Sequence, residues 1–171
     1  MFLLQNRACR LQMNHNEVHV YTDGSALNNP GPGGWAFCYN WANSTMTPHV
    51  KFTDKDSCRV KQNRDIIVSG GEVQTTNNRM ELQAVIECLK WINDGSIVIN
   101  SDSQLTINCA AGLWKRKSNM DLWSEYDKLS VGRNIRFIWV KAHSGNTYNE
   151  IVDKAARDEA HTKKKESSRK I

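Results

Sequence analysis

"VYTDGSALNNPGPGGWAF", residues 20–37, begins with Val20 and Thr22 alternating against Tyr21 and Asp23, then breaks at the aspartate into asparagine, proline and glycine. Alternation of period two marks a half-buried strand, and the Asn, Pro and Gly cluster marks the turn that ends it. Apolar character resumes in "GWAFCYNW", residues 34–41, so two neighbouring strands are expected, with a carboxylate ending the first.

Outward from this stretch, "RDIIVSG" (64–70) reads as a third strand. The polar "ANSTMTPHVKFTDKDSCRVKQN" between the second and third, within the connection from Asn40 to Asn63, reads as a long hairpin connection or an inserted loop. Leu82, Val85, Ile86, Leu89 and Ile92 then fall at helical spacing, with Thr76 or Asn77 as the N-cap. "GSIVINSD" (95–102) is a nearly continuous apolar run ending in another aspartate, the pattern of a central buried strand. Helical patterns follow at Leu105 to Leu113 and at Leu122, Tyr126 and Leu129. "IRFIWVKAH" reads as a fifth strand and Ile151, Ala155 and Ala156 mark a last helix. The order β β β α β α α β α predicts an α/β layered domain with a mixed sheet.

At 171 residues and 19.5 kDa the chain fits one domain, able to bury roughly 70% of its unfolded surface. Five scattered cysteines, with no CxxC pair, suggest neither a disulfide framework nor a zinc site and fit a reducing compartment. The N-terminal "MFLLQNRACRLQMNHN" has too short an apolar run for a signal segment or a membrane span, so an intracellular, cytoplasmic or nuclear, protein with no membrane partner is expected. Net charge is +5, of which "KKKESSRKI" (163–171) carries +4. The expected division is an N-terminal extension over 1–16, a domain over 17–161 and a basic, disordered tail over 162–171. Such a tail is either a solvated terminus or a salt-dependent binder of polyanions.

Asp23 ends the first strand, Glu81 sits in the first turns of the long helix, Asp102 ends the central strand and Asp153 lies early in the last helix. Each alone has a plain alternative: turn former or N-cap for the aspartates at strand ends, a favourable charge near a helix start for Glu81, a solvated residue for Asp153. Strand ends and helix starts of an α/β sheet meet at one crevice, however, where the four acids converge. Two carboxylates about 4 Å apart repel by roughly 4 kcal/mol at an effective dielectric near 20, so such a cluster either protonates or holds cations. All-oxygen ligands favour Mg²⁺ or Mn²⁺ over zinc, and a pair of such ions suits phosphodiester hydrolysis.

"YTDGS" with "NPGPGGW", "TTNNRMEL", "SDSQ" and "WVKAHSGNTYNEIVDKAA" resemble, in order and type, the motifs of type 1 ribonuclease H over about residues 17–160. The resemblance implies a ribonuclease H-like α/β fold: a five-stranded mixed sheet, its first three strands antiparallel, with helices on both faces. It implies an enzyme, a metal-dependent endonuclease that hydrolyses the RNA strand of an RNA-DNA hybrid by a two-metal-ion mechanism and leaves 5′-phosphate and 3′-hydroxyl ends. Asp23, Glu81, Asp102 and Asp153 match the family's metal-binding acids, for two Mg²⁺ ions or Mn²⁺, and His143 matches a mobile-loop histidine tied to proton transfer or product release. Gly24, Asn29, Thr76, Asn77, Asn78 and Gln104 match substrate-binding positions, Thr76 for a phosphate of the DNA strand and the others facing the minor groove or letting the backbone approach it. Helix capping for Thr76 and Asn77 and plain helix surface for Gln104 are their structural alternatives.

The chain departs from many bacterial members in one respect. Only "KRKSNMDL" lies between Trp114 and Trp123, where those members carry a Lys- and Trp-rich basic handle. Lys115, Arg116, Lys117 and the cationic tail are the candidates for gripping a hybrid in its place. A monomer is expected, with the hybrid as its partner and protein partners undefined. Two other functions remain open at this point: a non-catalytic hybrid- or RNA-binding module on the same fold, and a polynucleotidyl transferase that cuts DNA.

Overall fold

A computed structural model describes residues 17–40, 59–62, 65–92 and 96–170. Its elements run β1 (Val18–Ala26), β2 (Gly31–Asn40), β3 (Arg59–Gln62), β4 (Asp65–Thr75), α1 (Asn77–Trp91), β5 (Ser96–Ser101), α2 (Gln104–Ala110), α3 (Met120–Ser130), β6 (Asn134–Trp139) and α4 (Thr147–Arg169). The sheet order is β3-β4-β2-β1-β5-β6. The five strands expected from the sequence are present, and the chain adds a sixth, the four-residue edge strand β3, paired antiparallel with β4 from Arg59↔Ser69 to Gln62↔Ile66. It arises inside the connection expected as a loop; the remainder of that connection and the segment 1–16 lie outside the described residues.

β1 and β2 form the antiparallel hairpin announced by the opening stretch, Val20 opposite Tyr39 and Ala26 opposite Gly33, and β2 pairs antiparallel with β4. On its other side β1 pairs parallel with β5, and β5 parallel with β6. The carboxyl ends of β1, β5 and β6 therefore lie at one edge of the sheet, where an α/β layer presents its crevice.

The alternation in β1 sorts its side chains between two layers. Val18 and Val20 join Ile97 and Ile99 of β5 under α1, together with Leu82, Val85, Ile86 and Leu89 of that helix. Each such side chain contributes about 1.5–3 kcal/mol on burial. α3 covers the flank of α1 with Leu122, Trp123 and Tyr126, and Arg133 donates to the terminal carbonyls of Leu89 and Ile92, where a cation suits the helix dipole.

The opposite face carries α4, whose Val152 and Ala156 pack on Ala36 and Cys38. Gly34 makes this close approach possible: a Cβ there would lie 2.1 Å from the Ala156 carbonyl oxygen. Buried Glu159 accepts from Ser69 Oγ at 3.1 Å and fixes the helix across the sheet. Beyond residue 161 the expectation of a disordered tail is corrected, because α4 continues to Arg169. Lys and Glu are good helix formers, Thr162 donates to the Asp158 carbonyl, and Lys163 pairs with Glu166 at 2.9 Å with its stem over Gly71.

Cys38, Cys88 and Cys109 are buried thiols that form no disulfide among the described residues, and burial pushes Cys88 up to about 12, so it packs as an apolar group. Among the described residues no helix is long and apolar enough to cross a membrane.

Candidate active site

The hairpin turn and the start of α1 are built against each other. Thr76 is the N-cap of α1, its hydroxyl accepting from Arg79 N at 3.3 Å. Asn29 Oδ1 accepts from Asn77 N at 3.0 Å, and Asn77 Oδ1 accepts from Ala26 N at 2.5 Å. Asn29 and Asn77, both expected to touch substrate, thus brace the turn to the helix that Thr76 caps. Gly24 is required at the same junction, since a Cβ there would sit 2.2 Å from Glu81 N and Met80 C. Its bare backbone is occupied by α1, which brings Glu81 directly beside β1.

That contact assembles the acids. Carboxylate oxygens of Asp23, Glu81 and Asp102 lie within 4.8 Å of one another. Asp23 is 4% exposed, accepts from Gly24 N at 2.9 Å, and is pushed up to about 7. Burial is the main cause, partly countered by a hydrogen bond with Glu81 and reinforced by the charges of Asp102 and Asp153. Glu81 is raised well above the usual carboxylate range by burial and then by Asp23. The two lie close enough to share a proton, and Asp102 is also raised, chiefly by burial.

Asp102 is held from two elements. Ser103 behind it caps α2, its Oγ accepting from Thr106 N at 3.2 Å, and Trp139 Nε1 donates to the Asp102 carbonyl at 3.2 Å. The Asn149 side chain, in the first turn of α4, hydrogen-bonds the Asp102 carboxylate and pulls its pKa down. Asn149 is 3% exposed and was not among the residues singled out from sequence. Its only sequence signal is its place inside the last motif, four residues before Asp153.

Asp153 stands at the margin of the group of three. Its charge raises both Asp23 and Asp102, while its Oδ2 pairs with Arg157 at 2.7 Å. His143 lies on the exposed loop before α4, in the left-handed region at φ 53°, near enough for its charge to act on Asp102. Asn78 and Gln104 are exposed at the starts of α1 and α2. Asn78 borders a hollow whose other walls include Leu105, Trp114 and Lys115.

Of the basic cluster near the missing handle, Arg116 is already engaged. Its guanidinium lies 4.2 Å from the centre of the Trp123 ring, pairs with Asp127 at 2.8 Å and reaches the Cys109 carbonyl. Lys115 and Lys117 stay exposed.

The donor set fits a divalent cation. Three carboxylates converge, and among the described residues Glu81 Oε2 is buried without a hydrogen-bond partner, a costly arrangement that a hard cation with oxygen ligands relieves.

A family model described as RNase H matches residues 15–161. A ribonuclease H of Helicobacter acinonychis is 39% identical over 153 residues, covering 84% of this chain and 93% of the relative. Among solved structures, the N-terminal RNase H domain of rv2228c from Mycobacterium tuberculosis, a fusion with maltose binding protein, superposes with a TM-score of 0.69 at 20% identity, covering 89% of this chain and 99% of that one. LC11-RNase H1 in complex with an RNA/DNA hybrid superposes at 0.59 and 21% identity, covering 82% and 97%.

Proposed function

Because this chain belongs to the ribonuclease H family, we propose that it is an endonuclease that hydrolyses the RNA strand of RNA-DNA hybrids, leaving 5′-phosphate and 3′-hydroxyl ends. The observation that carries the reading is the convergence of Asp23, Glu81 and Asp102 on one point, with Asp153 at its margin. A binding module would have no use for three crowded, partly protonated carboxylates, which cost stability and supply no contact to a polyanion. The hybrid-bound relative supports the substrate, and the chain covers 97% of it.

Asp23, Glu81, Asp102 and Asp153 would hold two Mg²⁺ ions, with Mn²⁺ able to substitute. When bound, such a pair supplies an activated water and stabilises the departing 3′ oxygen of an in-line displacement. Gly24 N fixes Asp23, and Asn149 fixes Asp102, so both carboxylates are oriented before substrate arrives. His143, exposed on its loop, would carry a proton to or from the departing group. Thr76 at the positive start of α1 would receive a DNA-strand phosphate. Asn29, Asn77, Asn78 and Gln104 would meet the wide minor groove, where 2′-hydroxyls distinguish RNA from DNA. One chain supplies every acid, so the site needs no residue from a second copy.

The test is an end-labelled substrate panel with Mg²⁺: RNA-DNA hybrid, RNA duplex and DNA duplex. Cleavage confined to the RNA of the hybrid is expected. Cleavage of DNA duplex would favour a polynucleotidyl transferase, and hybrid binding without cleavage in Mg²⁺ or Mn²⁺ would favour a binding module.

A further inference from the structure

We propose that the outer face of α4 beyond the family domain is a second hybrid-binding surface, which takes phosphates of the duplex several base pairs from the cut and substitutes for the missing basic handle. The proposal rests on the hybrid reading above and adds a surface outside it, since the family model ends at residue 161.

Helix geometry sets Lys164 on the side of the catalytic Asp153 and the other two cations on the outer side of the same helix. At 3.6 residues per turn, the eleven residues from Asp153 to Lys164 complete three turns and about 20° more, so the two side chains leave the helix on one side, about 16 Å apart along its axis. Lys165 and Arg169 are exposed about 120° and 160° around the helix from Asp153, on its outer side, Arg169 about 24 Å further along the axis. The inner flank is committed elsewhere, with Ala156, Glu159 and Ala160 buried against the sheet and Lys163 paired to Glu166. Nearer the acids, Lys154 and Arg157 are paired to Asp158 and Asp153.

Among the described residues Lys164, Lys165 and Arg169 have no acidic partner, and all three are exposed. Three uncompensated cations on a rigid helix suit a polyanion with regular spacing. An interval of 16–24 Å corresponds to about five to seven base-pair steps at roughly 3.4 Å each. A helical arrangement also gives these cations a fixed direction from the acids, which a disordered tail would lack. Arg116, engaged with Trp123 and Asp127, is not free to serve this purpose.

The test replaces Lys164, Lys165 and Arg169 together by glutamine, which keeps helix propensity. Binding of a fluorescent 30-base-pair hybrid is followed by anisotropy without divalent ions, so that no cleavage is needed, across a salt series. The slope of log affinity against log salt should fall by about one per lost phosphate contact, up to about three. Cleavage is then measured on hybrids with a single scissile site and either four or twelve base pairs beyond it, on each side in turn. KM should rise for the longer flank on one side, and the rise should shrink when that flank is shortened. An unchanged salt slope, or a KM increase independent of flank length, overturns the proposal and leaves the face to an acidic protein partner or to solvent. Loss of all cleavage by the wild type would sink the hybrid-nuclease reading instead, and the anisotropy series would still decide the surface.

Discussion

Replacing Asp23 by asparagine should stabilise the cation-free protein while ending cleavage. The Asp23 carboxyl is nearly sealed from solvent and is raised from 3.8 to about 7, first by burial and then by Asp102 and Asp153. A carboxyl raised in the folded state favours folding while protonated, so its contribution is fully present below about pH 4 and is lost as pH rises through about 7. Between pH 5 and pH 8 the unfolded carboxyl is ionised throughout while the folded one loses its proton. At about 1.4 kcal/mol per pH unit over two units, the wild type loses on the order of 3 kcal/mol across that interval from this group alone. Asparagine is nearly isosteric, carries no charge, and keeps an oxygen for Gly24 N. In urea denaturation with a chelator, Asp23→Asn should therefore exceed the wild type in stability at pH 8, with the gap closing toward pH 5. Millimolar Mg²⁺ should raise the wild type alone, because only the intact acid set binds the ion in the folded state. A variant no more stable than wild type at pH 8, or a gap equal at the two pH values, would refute the electrostatic account of the cluster.

Asn149→Ala removes the hydrogen bond that orients Asp102 and should lower kcat about tenfold or more with little change in hybrid affinity, read from steady-state kinetics beside binding without divalent ions. Gly24→Ala places a Cβ 2.2 Å from the α1 backbone and should destabilise the fold by about 3 kcal/mol, measured by urea denaturation. Arg116→Ala should cost about 1–2 kcal/mol through its lost stacking on Trp123 and exposed pair with Asp127, while leaving the salt slope of hybrid binding unchanged.

Asp102 was readable because β5 ends at Ser101 and strands of an α/β sheet end at one crevice. Asp23 was expected to end its strand, but β1 runs on to Ala26; what ends just before Asp23 is the parallel pairing with β5, while pairing with β2 carries the strand further. Glu81 was readable from its place near the start of a periodic helix. Asn149 was not, because its bond to Asp102 joins residues 47 apart and rests on side-chain reach rather than on any period. Gly24 was read as room for substrate, yet its neighbour is α1, a contact that depends on how helix and strand pack. The lysines after 161 looked like a solvated tail by composition alone. Whether they continue a helix depends on Glu159 and Lys163 seating the preceding turns on the sheet, which periodicity in a polar segment does not reveal. The edge strand β3 was hidden for a similar reason, being four residues within a long polar connection.

The most direct test of the account is cleavage of an end-labelled RNA-DNA hybrid by wild type and Asp102→Asn, with and without Mg²⁺, with the product ends mapped. The account predicts that wild type with Mg²⁺ cuts the RNA strand to 5′-phosphate and 3′-hydroxyl ends, and that either chelation or the substitution abolishes cutting. Cleavage that persists in Asp102→Asn, or that leaves 2′,3′-cyclic phosphate ends without divalent ions, would contradict it.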